Sequence, residues 1–396
     1  MKKHLRILAM LLAAVLCLGM LASCNNSAGE TSNPPANETQ PAGNENTDTP
    51  ESSDSPGVTI PETNFKLGCV VYSLTDAVPV NIKNMLEAYC EMLNVELMVV
   101  QGNGAEGNLQ AIENLIAADV DGIFLHSAEG LDAFLPVLEE AGVPFVFGST
   151  KAMTDSAKEL VANSKMFLGQ VSFDDVEVMR LLTDAVLEAG ATEIGLIAPT
   201  NVTPNYLGIR KQAVMDIVEK YNADNNANVV LREGTGTNYF DFAGFTSSLL
   251  ANYPNLEYYI TVTTGDSAYQ PILLAEREGQ VKLYAANRTD TAEAAMADGT
   301  LQAYVAGTEH IAAEFLIMYN YMMGKPLSTD GYIDLTSPAL YIDSAEKYNQ
   351  FNTYYNGKVL YDAEFLLGID SLDKLEAMVN AATLENFVSG EYLNIG

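Results

Sequence analysis

The sequence contains no tryptophan, three histidines, four cysteines, and 20 lysines and arginines against 52 aspartates and glutamates. Each shortage excludes something. A formal net charge of −32 over 396 residues repels nucleic-acid phosphate and anionic lipid headgroups, so no nucleic acid is expected as a partner. His4, His126 and His310 leave few candidates for histidine-based catalysis. Gly-x-Ser-x-Gly, His-Glu-x-x-His and P-loop motifs are absent. Cys17 and Cys24 belong to the leader, so Cys69 and Cys90 are what remains for the folded body. Two cysteines match no zinc or disulfide-framework spacing. They are expected as small buried hydrophobes, with a disulfide as the alternative, and neither a metal nor a cofactor is expected. Past the leader, no uninterrupted apolar run reaches the ~18 residues of a membrane span.

The leader carries the sharpest signal. Lys2, Lys3 and Arg6 precede an apolar core from Leu5 to Leu21, which ends in Leu21-Ala22-Ser23-Cys24. The tetrad resembles a bacterial lipobox, which implies a signal peptide over 1–23, lipidation of Cys24 and attachment to the outer face of the cell membrane through that lipid. Residues 24–62 are rich in Asn, Ser, Thr, Pro, Glu and Gly. Such a stretch cannot bury apolar surface and reads as a disordered tether.

From Phe65 onward, short apolar runs alternate with helical patterns. Strands are expected at Leu67–Tyr72, Val95–Val100, Gly122–Leu125, Pro144–Phe147, Glu193–Ile197, Asn228–Leu231, Tyr258–Val262, Lys282–Ala285 and Leu301–Val305. Helices include Val80–Leu93, Leu109–Ala118 and Leu131–Ala141. Continuous apolar strands separated by helices imply an α/β fold with parallel sheets covered on both faces. Ligands of such sheets bind beyond the carboxyl ends of the strands. Gly102-Asn-Gly104-Ala-Glu-Gly107 fits a dinucleotide fingerprint, with Asp121 about 19 residues beyond Gly102. Asp121, however, precedes its strand instead of following it, so the glycines are expected only to make a turn.

Several segments, in order, resemble the ribose/galactose-type solute-binding proteins of ABC transporters, which have the type I periplasmic-binding fold. They are Lys66–Thr75; Gln110-Ala-Ile-Glu-Asn-Leu-Ile116 with Val120-Asp-Gly-Ile123; Ala141-Gly-Val-Pro144; Arg210–Tyr221; and Ala295-Met-Ala-Asp-Gly-Thr-Leu301. In the fourth, Ala213 and Val214 replace the family's Gly-Phe. The resemblance implies two Rossmann-like lobes joined by a three-strand hinge: an N-terminal lobe of 65–171 plus 308–336, and a C-terminal lobe of 172–307 plus 337–396. The tyrosine-rich extension (Tyr348, Tyr354, Tyr355, Tyr361) and the helix near Leu372–Ala382 have no family counterpart.

Carried over position by position, the resemblance places Asp76, Arg210, Asp266 and Asn287 against a ligand, with Tyr239 as an aromatic wall. His126 and Ser127 end the third strand, Ser149 stands where an acid is usual, and Tyr72 offers a ring. Val78 and Pro79 replace the aromatic residues that stack on sugars, which weakens the sugar inference while leaving the fold inference intact. The expected protein is a monomeric, non-enzymatic receptor for a small polar ligand, a sugar foremost, which it delivers to an ABC permease. A sensory receptor for a membrane kinase and a surface enzyme stand as alternatives. A repressor of related fold is set aside because the leader occupies the place of a DNA-binding head.

Overall fold

A computed structural model describes residues 59–307 and 310–395. The signal peptide, Cys24 and all of the tether before residue 59 lie outside the described residues.

Twelve strands form two six-stranded sheets. The first contains β1 (Lys66–Val71), β2 (Glu96–Gln101), β3 (Gly122–Leu125), β4 (Phe145–Phe147), β5 (Phe167–Phe173) and β11 (Ile333–Ser337), in the order β11-β5-β4-β3-β1-β2. All its neighbours are parallel. The second contains β6 (Glu193–Ile197), β7 (Val230–Glu233), β8 (Tyr258–Thr264), β9 (Lys282–Asn287), β10 (Leu301–Gly307) and β12 (Ala339–Ile342), in the order β12-β10-β9-β8-β6-β7. Its pairs are parallel except β10 with β12.

Strand periodicity explains why helices must cover both faces. Along β3, Phe124 joins one apolar cluster while Ile123 and Leu125 join another. Along β4, Val146 faces the first cluster while Phe145 and Phe147 face the second. Each such side chain, when fully buried, contributes roughly 1.5–3 kcal/mol. Around the first sheet lie α1 (Ala77–Met92), α2 (Gly104–Ala117), α3 (Leu131–Ala141), α4 (Asp155–Asn163) and α10 (Ile311–Met322). The second carries α5 (Asp175–Glu188), α6 (Tyr206–Asn225), α7 (Phe242–Asn252), α8 (Asp266–Leu274) and α9 (Ala292–Ala297). Side-chain caps fix several starts: Asp174 accepts from the Val176 and Glu177 amides before α5, and Asn205 from Gly208 before α6.

The chain passes between the sheets three times: from β5 into α5, from β10 into α10, and from β11 through Pro338 into β12. Each crossing leaves the carboxyl end of a strand, so the carboxyl edges of the two sheets come to face one another. Of the strands at the crossings, β10 is expected from the sequence, and β5, β11 and β12 are additional.

Of the segment 337–396, grouped above with the C-terminal lobe, the described residues to 395 divide between the cores. Phe351 in α11 (Ala345–Tyr354), Tyr355 and Phe387 in α14 (Leu384–Ser389) pack with the second sheet. Tyr361, Leu366 in α12 (Ala363–Gly368), and Leu375 and Val379 in α13 (Leu372–Asn380) pack with the first. Cys69 and Cys90 are free thiols buried in that same core. Burial raises both, Cys69 to about 12, and the disulfide alternative falls away. The glycine motif resolves as a turn: Gly104 has φ +72° at the start of α2. The Asp121 carboxylate accepts from the Lys66 amide at 2.8 Å, at the amino end of β1 and β3. That is the wrong end of the sheet for a ribose-binding acid.

Candidate functional site

The facing carboxyl edges bring two groups of side chains together. On the first sheet, His126 follows β3 and Tyr72 follows β1, and their rings stack at 5.4 Å with an interplanar angle of 25°. The His126 Nδ1 lies 2.9 Å from the carbonyl oxygen of Gly148, just after β4. A carbonyl can only accept, so Nδ1 carries the proton. Burial lowers the ring's proton affinity, and the Gly148 bond opposes this only in part. Gly148 is required here because a Cβ would fall 1.8 Å from the Phe124 ring. Ser149 adopts φ +53°, and its amide donates to Glu314 of α10 at 2.8 Å. Its hydroxyl is buried with no partner among the described residues.

On the second sheet, Arg210 is 1% exposed. Its Nε donates to Asp175 at 2.8 Å, and its Nη1 to the Val262 carbonyl at 2.9 Å and the Asn287 Oδ1 at 3.0 Å. Phe173 and Tyr206 flank the guanidinium at 5.5 and 5.2 Å from their centroids. Nη2 donates to no described residue. The groups meet through Lys151, whose Nζ donates to the Phe173 carbonyl at 2.9 Å and stands 3.4 Å from Asp175. A contact chain therefore runs from Tyr72 and His126 along the loop after β4 to Lys151, Asp175, Arg210 and Asn287.

Other expected residues are placed differently. Asp76 is exposed at the start of α1 and makes no side-chain cap bond. The Ser127 hydroxyl accepts from the Glu129 amide and shapes its own loop. The Tyr239 hydroxyl pairs with Thr203 and donates to Asn205 at 2.9 Å. Asp266 is engaged within the lobe: it accepts from the Thr264 hydroxyl, the Asp290 and Thr291 amides and the Thr291 hydroxyl. Burial would raise this carboxyl, but those four donors hold it below the ordinary range. It ties the loop after β8 to the loop after β9. Asp175, Lys151 and Phe173 were not singled out in the sequence. An acid in the first turn of a helix ordinarily reads as a complement to the helix dipole, and no local signal tells Asp175 apart.

The described residues hold no cluster of His, Cys, Asp and Glu suited to a metal ion, and none of their helices is long and apolar enough to cross a membrane. A solute-binding protein from Actinobacillus succinogenes, solved with bound D-allose, superposes with a TM-score of 0.60 at 16% identity, over 72% of this chain and 99% of that one. A Mycobacterium smegmatis protein in complex with β-D-fucofuranose gives 0.58 at 18% identity, over 74% and 96%. A solute-binding protein from Bacillus halodurans with myo-inositol gives 0.58 at 15%, over 75% and 100%. A helix-turn-helix transcriptional regulator from Mycolicibacterium smegmatis is 30% identical over 126 residues, 32% of this chain and 31% of the regulator's length. Residues 67–325, which span β1 through α10, match the periplasmic binding protein domain. With two largely parallel sheets facing across three crossings, and a match over well over half of its length, the chain belongs to the periplasmic binding protein family.

Proposed function

We propose that the protein is an extracytoplasmic receptor that captures a small polar solute, a sugar or sugar-like molecule, between its lobes and delivers it to an ABC permease. The observation that carries this reading is Arg210. A guanidinium clamped by Asp175, Val262 and Asn287 between two aromatic rings, with Nη2 left over, is a pre-oriented double donor for hydroxyl or carbonyl oxygens. Asn287 supplies a further amide at the same place, and Tyr72 and His126 supply a flat face and an acceptor on the opposite sheet edge. A ligand touching both edges makes all its contacts only when the lobes are closed, so binding shifts the protein toward the closed state. Bound allose, fucofuranose and myo-inositol in the similar structures agree with a polyhydroxylated ligand. A net charge of −32 stands against a DNA-binding role like that of the regulator. Lipid on Cys24 would hold the receptor near its permease.

The test is a thermal-shift screen of the Cys24→Ser protein over sugars, polyols, nucleosides and amino acids. A ligand at a hundred times its dissociation constant stabilises the native state by ~2.7 kcal/mol. A sugar that shifts the parent but not Asn287→Ala supports the reading. A ligand that binds both alike removes the assigned site, and a flat response to every sugar and polyol refutes the sugar assignment.

A further inference from the structure

His126 differs from the other polar groups at the facing sheet edges in that a backbone carbonyl sets which ring nitrogen carries the proton. The Gly148 carbonyl is positioned by its own strand: the Gly148 amide donates to the Leu125 carbonyl at 2.8 Å, and Phe124 lies so close that a Cβ at this position would meet it at 1.8 Å. The carbonyl held there accepts from Nδ1, and the neutral ring then has a lone pair on Nε2. Tyr72 covers one face of the ring at 5.4 Å, which fixes its plane. The ring is half-buried, and Nε2 meets no partner among the described residues. Arg210, at the carboxyl edge of the other sheet, offers donors only. The site thus pairs a donor edge on one sheet with an acceptor on the other.

We infer that His126 is a specificity-determining residue, an obligate hydrogen-bond acceptor that selects ligands presenting a hydroxyl or N–H to Nε2 and rejects their deoxy or O-methyl counterparts. The inference rests on the receptor reading and narrows its ligand class. A ligand offering only a carbonyl or ether at this point would leave two acceptors face to face. A deoxy analogue would leave Nε2 stripped of water with nothing in its place.

Two measurements test it. The first needs no ligand: ¹⁵N spectra of the imidazole rings at neutral pH, with His126 assigned by its loss in His126→Phe. The expected result is a protonated Nδ1 and an unprotonated Nε2, and an Nε2–H ring or an imidazolium overturns the inference. The second titrates D-ribose, D-galactose, D-allose and myo-inositol, with their monodeoxy analogues, against the Cys24→Ser protein, His126→Phe and His126→Gln. For a sugar that binds, one deoxy position should weaken binding roughly 10- to 100-fold. That discrimination should vanish in His126→Phe and return in part in His126→Gln, whose amide oxygen can accept. Equal discrimination in the parent and His126→Phe overturns the inference while leaving the receptor reading intact. If no probe binds, the sugar reading fails, and the ring spectrum still decides the tautomer on its own.

Discussion

Replacing Arg210 by alanine should destabilise the ligand-free protein by an amount the contacts define. The substitution removes a 2.8 Å ion pair with Asp175, hydrogen bonds to Val262 and Asn287, and two ring contacts. It leaves the Asp175 side chain, 5% exposed, without its main partner. Removing one member of such a buried pair costs about 3–5 kcal/mol. Lys151 remains 3.4 Å from Asp175 and is itself partly exposed, so the lower end applies, about 3 kcal/mol. For a chain of this size, at about 2 °C per kcal/mol, the melting temperature should fall by about 6 °C. Scanning calorimetry without ligand measures it, alongside Asp175→Asn and the Arg210→Ala/Asp175→Asn double variant. Because the double variant leaves neither member of the pair as a lone buried charge, it should lose at least 1 kcal/mol less than the two single changes combined, on the order expected for residues in direct contact. An Arg210→Ala protein melting within a degree of the parent, or strict additivity in the cycle, would show that the pair is not buried as described.

Four other outcomes follow from the structure. Cys69 and Cys90 should resist Ellman's reagent at pH 8 in the native protein and react fully in guanidinium, since burial raises both thiols; prompt native reaction refutes this. His310 is lowered to about 3 by burial, so the unfolded chain binds the extra proton between its own ~6.5 and that value. Stability should then be complete above pH 6.5 and decline as pH falls, by about 2 kcal/mol at pH 5; a denaturation midpoint that is flat from pH 7 to 5 contradicts this. Leu375→Ala, in the C-terminal extension yet fully buried, should cost about 2–5 kcal/mol in urea unfolding, whereas a loose appendage would show no loss. Gly148→Ala should lower stability well beyond an ordinary surface change, because its methyl would overlap the Phe124 ring; an unchanged melting curve would mean the loop after β4 can move aside.

How much was legible depended on whether a signal was local. The continuous apolar runs of β1, β3, β4, β6 and β8 to β10 could be read directly. The outer strands β2 and β7 sit one to two residues later than expected, because partly exposed edges lack a clean apolar boundary. In two of the strands that lead into crossings, polar residues break the apolar run that marks a strand: Gln170 and Ser172 in β5, Asp334 and Thr336 in β11. Gln170 bonds Asp334 and the Ala152 amide, so its polarity serves the join between strands. In the site, Arg210 and Asn287 carried a family signal and do meet. Asp266 carried one too, but its hydrogen bonds turn inward, which depends on loop conformation and not on residue type. No spacing rule could show that Asp175, at the start of a helix 35 positions before Arg210, is its partner.

The division of the last sixty residues between both cores bears on how the chain comes to be folded at all. The first sheet lacks its edge strand until Ser337 exists, and its core is incomplete until Leu375 and Val379 have been made. The second core likewise waits for Phe387. Neither half is a contiguous stretch that could mature while the rest is still emerging. Contacts this distant in sequence make acquisition of structure slow, and neither core can be completed before the chain has been made through Val379 and Phe387. In the extracytoplasmic receptor proposed above, which would be threaded outward through a membrane before it could work, such lateness would be a practical advantage.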